Sequence, residues 1–216
     1  WSFQLTVPAT HEGSNLPPSA SGCIFMRPRD TEIHGGTCTN CDLMEMWEFK
    51  VDWNTPANST LTQLTSIQMA DWDQTICGTT QFGCMPQSGT STLLDPIREP
   101  IHFPLQYRNF GTHETLVGAF VEDVDGSNKA AVHWFEIRRT PPGSGSWAKR
   151  QEGVLRNDTY HRGAASASMD GSGNIAVGYT RTNGSSYAGA YYAGRLSTDT
   201  LGTLSSYDNV IQAGTS

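Results

Sequence analysis

"ETLVGAFVEDVDGSNKAAVHWFEIRR", residues 114–139, reads as two extended arms around a tight turn. Both "ETLVGAFVE" and "KAAVHWFEIRR" are rich in β-branched and aromatic residues, which pack well on a pleated surface. Between them "DVDGSN" supplies the Asp, Gly and Asn that tolerate the left-handed backbone of a hairpin turn. The prolines and glycines of "TPPGSGS" cannot continue a ladder, so "WAKRQEGVL" after it reads as a third arm. No stretch of comparable length keeps a 3.6-residue apolar period, and the fold class expected from this is all-β.

The pattern recurs along the chain. "AASASM", "DGSG" and "NIAVGYT" form a second hairpin, followed by "SYAGAYYAGRL" and "SYDNVIQAG". An earlier copy runs through "GCIFMRPRD", "DLMEMWEFKVDW" and "STLTQLTSIQM". Three units therefore lie at 22–70, 105–155 and 161–214, with a long cysteine-bearing loop at 71–104. Small antiparallel sheets repeated in this way are the signature of β-propeller blades, each burying its faces against its neighbours. Three to four blades are few for a closed ring, so the expectation is a partial propeller that belongs to a larger ring or is completed by blades from another chain.

Composition narrows the partners. The net charge of -7 lacks the clustered Lys and Arg that displace counterions from phosphates, which argues against nucleic acid. No apolar run reaches the roughly 18–20 residues that span a bilayer, and "WSFQLTVPAT" has no signal-peptide pattern, which implies a removed signal or an excerpt. All five cysteines fall between Cys23 and Cys84. "CTNCD" has no second thiolate or imidazole pair at zinc spacing, so disulfides Cys38–Cys41 and Cys77–Cys84 are preferred to a metal site, with Cys23 left to pair outside the segment. Sequons at Asn58, Asn157 and Asn183 sit in polar turns. Cysteine use and sequons together predict a secreted or extracellular protein, with the periplasm as the alternative.

"FKVDWNTPANST", "FPLQYRNFGTHETLV", "AAVHWFEIRR", "SMDGSGNIAVGYT" and "YAGRLSTDTLGTL" resemble segments of a family of secreted, mostly bacterial β-propeller proteins, related in style to sialidase-like and other repeat propellers. The resemblance spans roughly residues 22–214. It implies a propeller fold and a chain that continues into a further blade, and it carries no activity. "SMDGSGNIAVGY" is similar to a sialidase Asp-box without its Trp, a turn-stabilising feature rather than a catalytic one.

Several residues are candidates for chemistry. Arg108, His113 and Glu114 crowd seven positions and, with His133, are of the types that serve as charge clamp, proton shuttle and general acid or base in polysaccharide-active enzymes. The competing structural reading pairs Arg108 with Glu114 at a seam between loop and strand, since buried charges persist only when paired. Strand alternation sends His133 and Glu136 to opposite faces. Arg27 and Arg29, in a polar set with Asp30, Glu32 and His34, are of the type that holds acidic sugars bidentately. Trp53, Trp72 and Tyr191 are candidate stacking platforms, as are Trp147, Tyr160, Tyr187 and Tyr192. Asp123, Asp125 and Asn128 have the spacing of a calcium loop without its acidic twelfth ligand, and a hairpin turn is the plainer reading. No phosphate loop, nucleophile elbow or His-Glu-x-x-His motif is present. The expected function is an extracellular binding or structural module for carbohydrate or protein. A glycosidase or lyase, or a subunit of an extracellular assembly, are the alternatives.

Overall fold

The computed structural model describes residues 5–78, 82–155 and 158–215. Its strands are β1 (Val7–Glu12), β2 (Cys23–Arg29), β3 (Leu43–Lys50), β4 (Thr60–Gln68), β5 (Leu105–Asn109), β6 (Glu114–Asp123), β7 (Ala130–Arg139), β8 (Trp147–Leu155), β9 (His161–Met169), β10 (Ile175–Asn183), β11 (Ser186–Arg195) and β12 (Ser206–Gln212). A short helix, α1 (Thr31–His34), follows β2. The all-β class holds.

The strands form two sheets. One has eight strands in the order β4-β3-β2-β1-β5-β6-β7-β8, and the other has four, β12-β11-β10-β9. Every neighbouring pair is antiparallel except β1 with β5, which run parallel from Ala9 opposite Leu105 to Glu12 opposite Arg108. The large sheet curls into a half-barrel that brings its terminal strands β4 and β8 toward each other. Across this seam the Ala70 amide donates to both carboxylate oxygens of Glu152, at 3.0 and 3.2 Å.

This arrangement corrects the propeller expectation. The units at 22–70 and 105–155 are not separate blades, because β1 pairs with β2 on one side and β5 on the other and joins both into one ladder. Hairpin patterning reports which arms are sequence neighbours, whereas the joining strand, "VPATHE", is short and polar and advertises nothing. The unit at 161–214 does form a sheet of its own, packed against β5, β6 and β7 through β9. Its hairpin turn is built by Asp170, whose carboxylate accepts the amides of Ser172 and Asn174. The segment between β4 and β5 holds an isolated Met85–Leu94 bridge and lays Trp72, Ile76 and Met85 into the interior.

Alternation along β6 explains why all ten of its residues are buried. Leu116 and Phe120 face the inside of the curl with Met26, Met44, Met46, Phe135 and Ile137. Val117 and Ala119 face outward, where with Val132 and Trp134 of β7 they meet Ala165, Ala167, Val177 and Ala193 of the second sheet. A strand covered on both faces reads as a continuous apolar run, as this one does. Gly118 is required by crowding, since a Cβ there would lie 2.7 Å from Phe135 and 3.0 Å from Ile101.

Candidate functional site

The inward residues of β6 run Glu114, Leu116, Gly118, Phe120, Glu122, an apolar row with a carboxylate at each end, roughly 27 Å apart at strand rise. Each end of the curled sheet therefore has its own polar site.

At the first end Glu114 is fully buried and its oxygens are saturated. Oε1 accepts the Tyr107 hydroxyl at 2.6 Å and Arg139 at 2.7 Å, while Oε2 accepts Arg139 Nε and the Gly143 amide, both at 2.6 Å. Burial alone would raise its pKa, but the bonds from Arg139, Tyr107 and Gly143 prevail and hold it below the ordinary carboxylate range. Burial, and next the Glu114 carboxylate, push the Tyr107 phenol up. The Arg139 guanidinium also lies over the Trp147 ring at 4.7 Å. A cleft of about 280 Å³ opens beside this group, lined among others by His11, Cys23, Tyr107 and Arg139. With four donors on two oxygens, Glu114 has no lone pair left to take up a substrate proton.

The other sequence candidates do not join it. Arg108 points to the opposite face of β5 and donates to the Met169 carbonyl at 3.2 Å, tying the large sheet to β9. The partner of Glu114 is thus Arg139, not Arg108. His113 stacks on Phe110 in the β5–β6 turn at 4.7 Å, and burial followed by the nearby Arg138 lowers its pKa. Glu136 faces outward and bonds Arg138 and Gln151. His133 lies near the far end. The four catalytic candidates therefore occupy four places, because adjacent strand residues diverge and because His133 and Glu114 differ by several positions along the ladder.

At the second end His133 is 1% exposed and sits between two carboxylates. Glu122 Oε2 lies 3.2 Å from Nδ1 and Glu152 Oε2 lies 3.1 Å from Nε2. The imidazole stacks on Phe120 at 4.6 Å and meets the Trp72 ring edge-on at 5.6 Å. Glu122 opens onto a cleft of about 470 Å³ whose lining carries Asp30, Glu32, Asp71, Asp73 and Asp123, with no Lys or Arg among the described lining residues. Much of this negative charge is committed to shaping loops. Asp30 caps α1 through the amides of Glu32 and Ile33 and also accepts the Gln74 amide. Asp42, beneath, accepts the amides of Thr31 and Trp72, and burial, outweighing those two bonds and assisted by Asp30 and Glu32, raises its pKa. Asp30, Glu32 and Asp42 place carboxylate oxygens within 4.8 Å of one another.

The calcium candidates are turn-builders. Asp123 accepts the amides of Asp125, Gly126, Asn128 and Lys129, Asp125 accepts from Ser127, and Asn128 Oδ1 accepts the Cys77 amide. The two disulfides are Cys38–Cys41 and Cys77–Cys84, and Cys23 is free. Such bonds accord with an oxidising compartment.

Among the ligand-binding candidates, Arg27 and Arg29 both grip Glu45, at 2.6 and 2.7 Å, and Arg27 lies over Trp47. Trp72 is core, at 5% exposure, and the Tyr191 ring is buried beneath Arg181. Of the aromatic candidates Trp53 presents its ring most, at 86% exposure, against 42% for Tyr192 and 37% for Tyr187. Asn58 is exposed in the same loop. Asn183 is half-buried with its carbonyl oxygen engaged by Ser185 and Ser186, and Asn157 lies outside the described residues.

No motif announces Tyr107, Arg139, Glu122 or Glu152. Their one signal in the sequence is inward parity, which for Glu122 falls on an otherwise apolar strand face and is visible only once register is known. No family model matches the chain, and neither a curated protein nor a solved structure is significantly similar to it.

Proposed function

We propose that the protein is an extracellular recognition module that binds carbohydrate through the β3–β4 hairpin. The observation that supports this best is Trp53, an indole left 86% in water at the hairpin tip. An exposed Trp gives up about 2–3 kcal/mol of available burial, which is recovered when its face stacks on a sugar ring. The tip is pre-organised. Asp52 accepts the amides of Asn54 at 3.0 Å and Thr55 at 2.8 Å, and its own amide is held by Ser59. The Thr55 amide, first among these contacts, holds the Asp52 carboxyl below its ordinary pKa, so the residue preceding Trp53 in the same loop carries an anionic acceptor for sugar hydroxyls. Phe49, Val51 and Leu61 extend an exposed apolar strip from the tip along the outer face. The enzyme alternative has less support, because the buried Glu114 carboxylate is fully occupied.

Glycan-array screening is expected to find ligands for the intact protein. Trp53→Ala should abolish their retention while changing unfolding free energy by no more than about 0.5 kcal/mol, as for a surface substitution. A blank array, or binding unaffected by loss of the indole, would remove this reading.

A further inference from the structure

His133 is buried at 1% exposure, with two carboxylates at its nitrogens and two aromatic rings packed against it. Glu122 of β6 and Glu152 of β8 face its two nitrogens, Phe120 of β6 covers one face, and Trp72 closes the edge. Ionised carboxylates only accept hydrogen bonds, so both ring nitrogens must carry hydrogen for both contacts to be favourable. A neutral ring would turn a lone pair toward one of the carboxylates across a buried contact. With both carboxylates ionised, this geometry favours the imidazolium.

The two carboxylates lead to different parts of the molecule. Glu152 also holds the Ala70 amide and the Lys149 ammonium, and so fastens the chain leaving β4 to β8 at the seam of the half-barrel. Glu122 lines the acidic cleft, where Asp30, Glu32, Asp71, Asp73 and Asp123 add negative potential. We propose that the doubly protonated His133 ring is a pH-sensitive clasp that keeps the seam closed and neutralises the cleft floor, and that losing its proton loosens Ala70 from Glu152 and leaves Glu122 uncompensated. This device is independent of the Trp53 platform and lies on a different part of the sheet.

The direction of the response follows by linkage. Burial opposes the charge, but the hydrogen bonds that the ring donates to Glu122 and Glu152 prevail and raise the His133 pKa from 6.5 to about 8. A group with a raised folded pKa contributes stability that is complete below the unfolded value and is lost as pH rises through the folded one. The window is thus about pH 6.5 to 8, with the loss complete near pH 9.

Hydrogen exchange of the segment 66–73, corrected for the intrinsic pH dependence of amide exchange, tests the clasp on the unmodified protein. Opening should become roughly eightfold more frequent between pH 7 and pH 9. His133→Gln should be loose at pH 7 and show no further rise, and a variant that keeps the wild-type pH slope would overturn the assignment. Should that variant fail to fold, an NMR titration of the imidazole in the intact protein decides the matter. Both nitrogens protonated at pH 6.5 with a midpoint near 8 uphold the clasp. A neutral ring at pH 6.5, or segment 66–73 exchanging alike at pH 7 and pH 9, sinks it.

Discussion

Glu114→Ala is expected to lower the unfolding free energy by about 3–5 kcal/mol, because it strands a buried guanidinium. Arg139 is 8% exposed and gives two of its donors to this carboxylate, at 2.6 and 2.7 Å. Tyr107 and the Gly143 amide lose the same acceptor. Chemical denaturation at pH 7 measures the loss, and a change under about 1 kcal/mol would show that water enters and replaces the carboxylate. The double variant Glu114→Leu, Arg139→Met should recover part of it, since replacing both partners of a buried pair removes the uncompensated charge. Acid titration supplies a second check. The folded-state pKa of Glu114 is depressed, so its contribution is complete above the ordinary carboxyl pKa and is lost as pH falls toward the folded value.

Trp134→Ala is expected to cost a similar amount, about 3–5 kcal/mol, through a cavity at the junction of the two sheets. The ring is 1% exposed and packs in the cluster that contains Val117, Ala167, Val177 and Ala193. Gly153 on the adjacent strand leaves it room, since a Cβ there would lie 2.9 Å from the indole nitrogen. Because the cluster joins β6 and β7 to the four-stranded sheet, exchange protection in β9 to β12 should fall more than in β2 and β3, whose core lies inside the curl. Uniform loss across both sheets would mean that they unfold as one unit. A destabilisation below about 1 kcal/mol would mean that the neighbours collapse into the space.

The two end sites differ in how they appear in the sequence. "YRNFGTHETLVGAF", residues 107–120, draws the eye to Arg108, His113 and Glu114 because they are close in sequence. In the fold they separate, since Arg108 and Tyr107 take opposite faces of β5 and the residue that completes the Glu114 site comes from the far end of β7. Glu122, His133 and Glu152 are spread over 31 positions and form a contiguous chain of bonds. In a β-protein, polar convergence follows cross-strand register, and register is not a local property. The hairpin tip is the opposite case. Asp52, Trp53, Asn54 and Ser59 are sequence neighbours, so turn chemistry acting within a few residues builds their loop.

What the sequence determined by itself is therefore the local layer: the all-β class, the hairpin of residues 114–139 and its turn, and the short-range disulfides Cys38–Cys41 and Cys77–Cys84. Each rests on turn chemistry, period-two patterning or short loop closure, which act within a few residues. Tertiary structure alone decided that a short polar strand near the N-terminus would join two units into one curled sheet in place of separate blades. It also decided that Glu114 would meet Arg139 and that His133 would lie between two carboxylates. Those outcomes depend on which strands share a ladder and which face turns inward, and both are set by burial of the whole apolar surface at once.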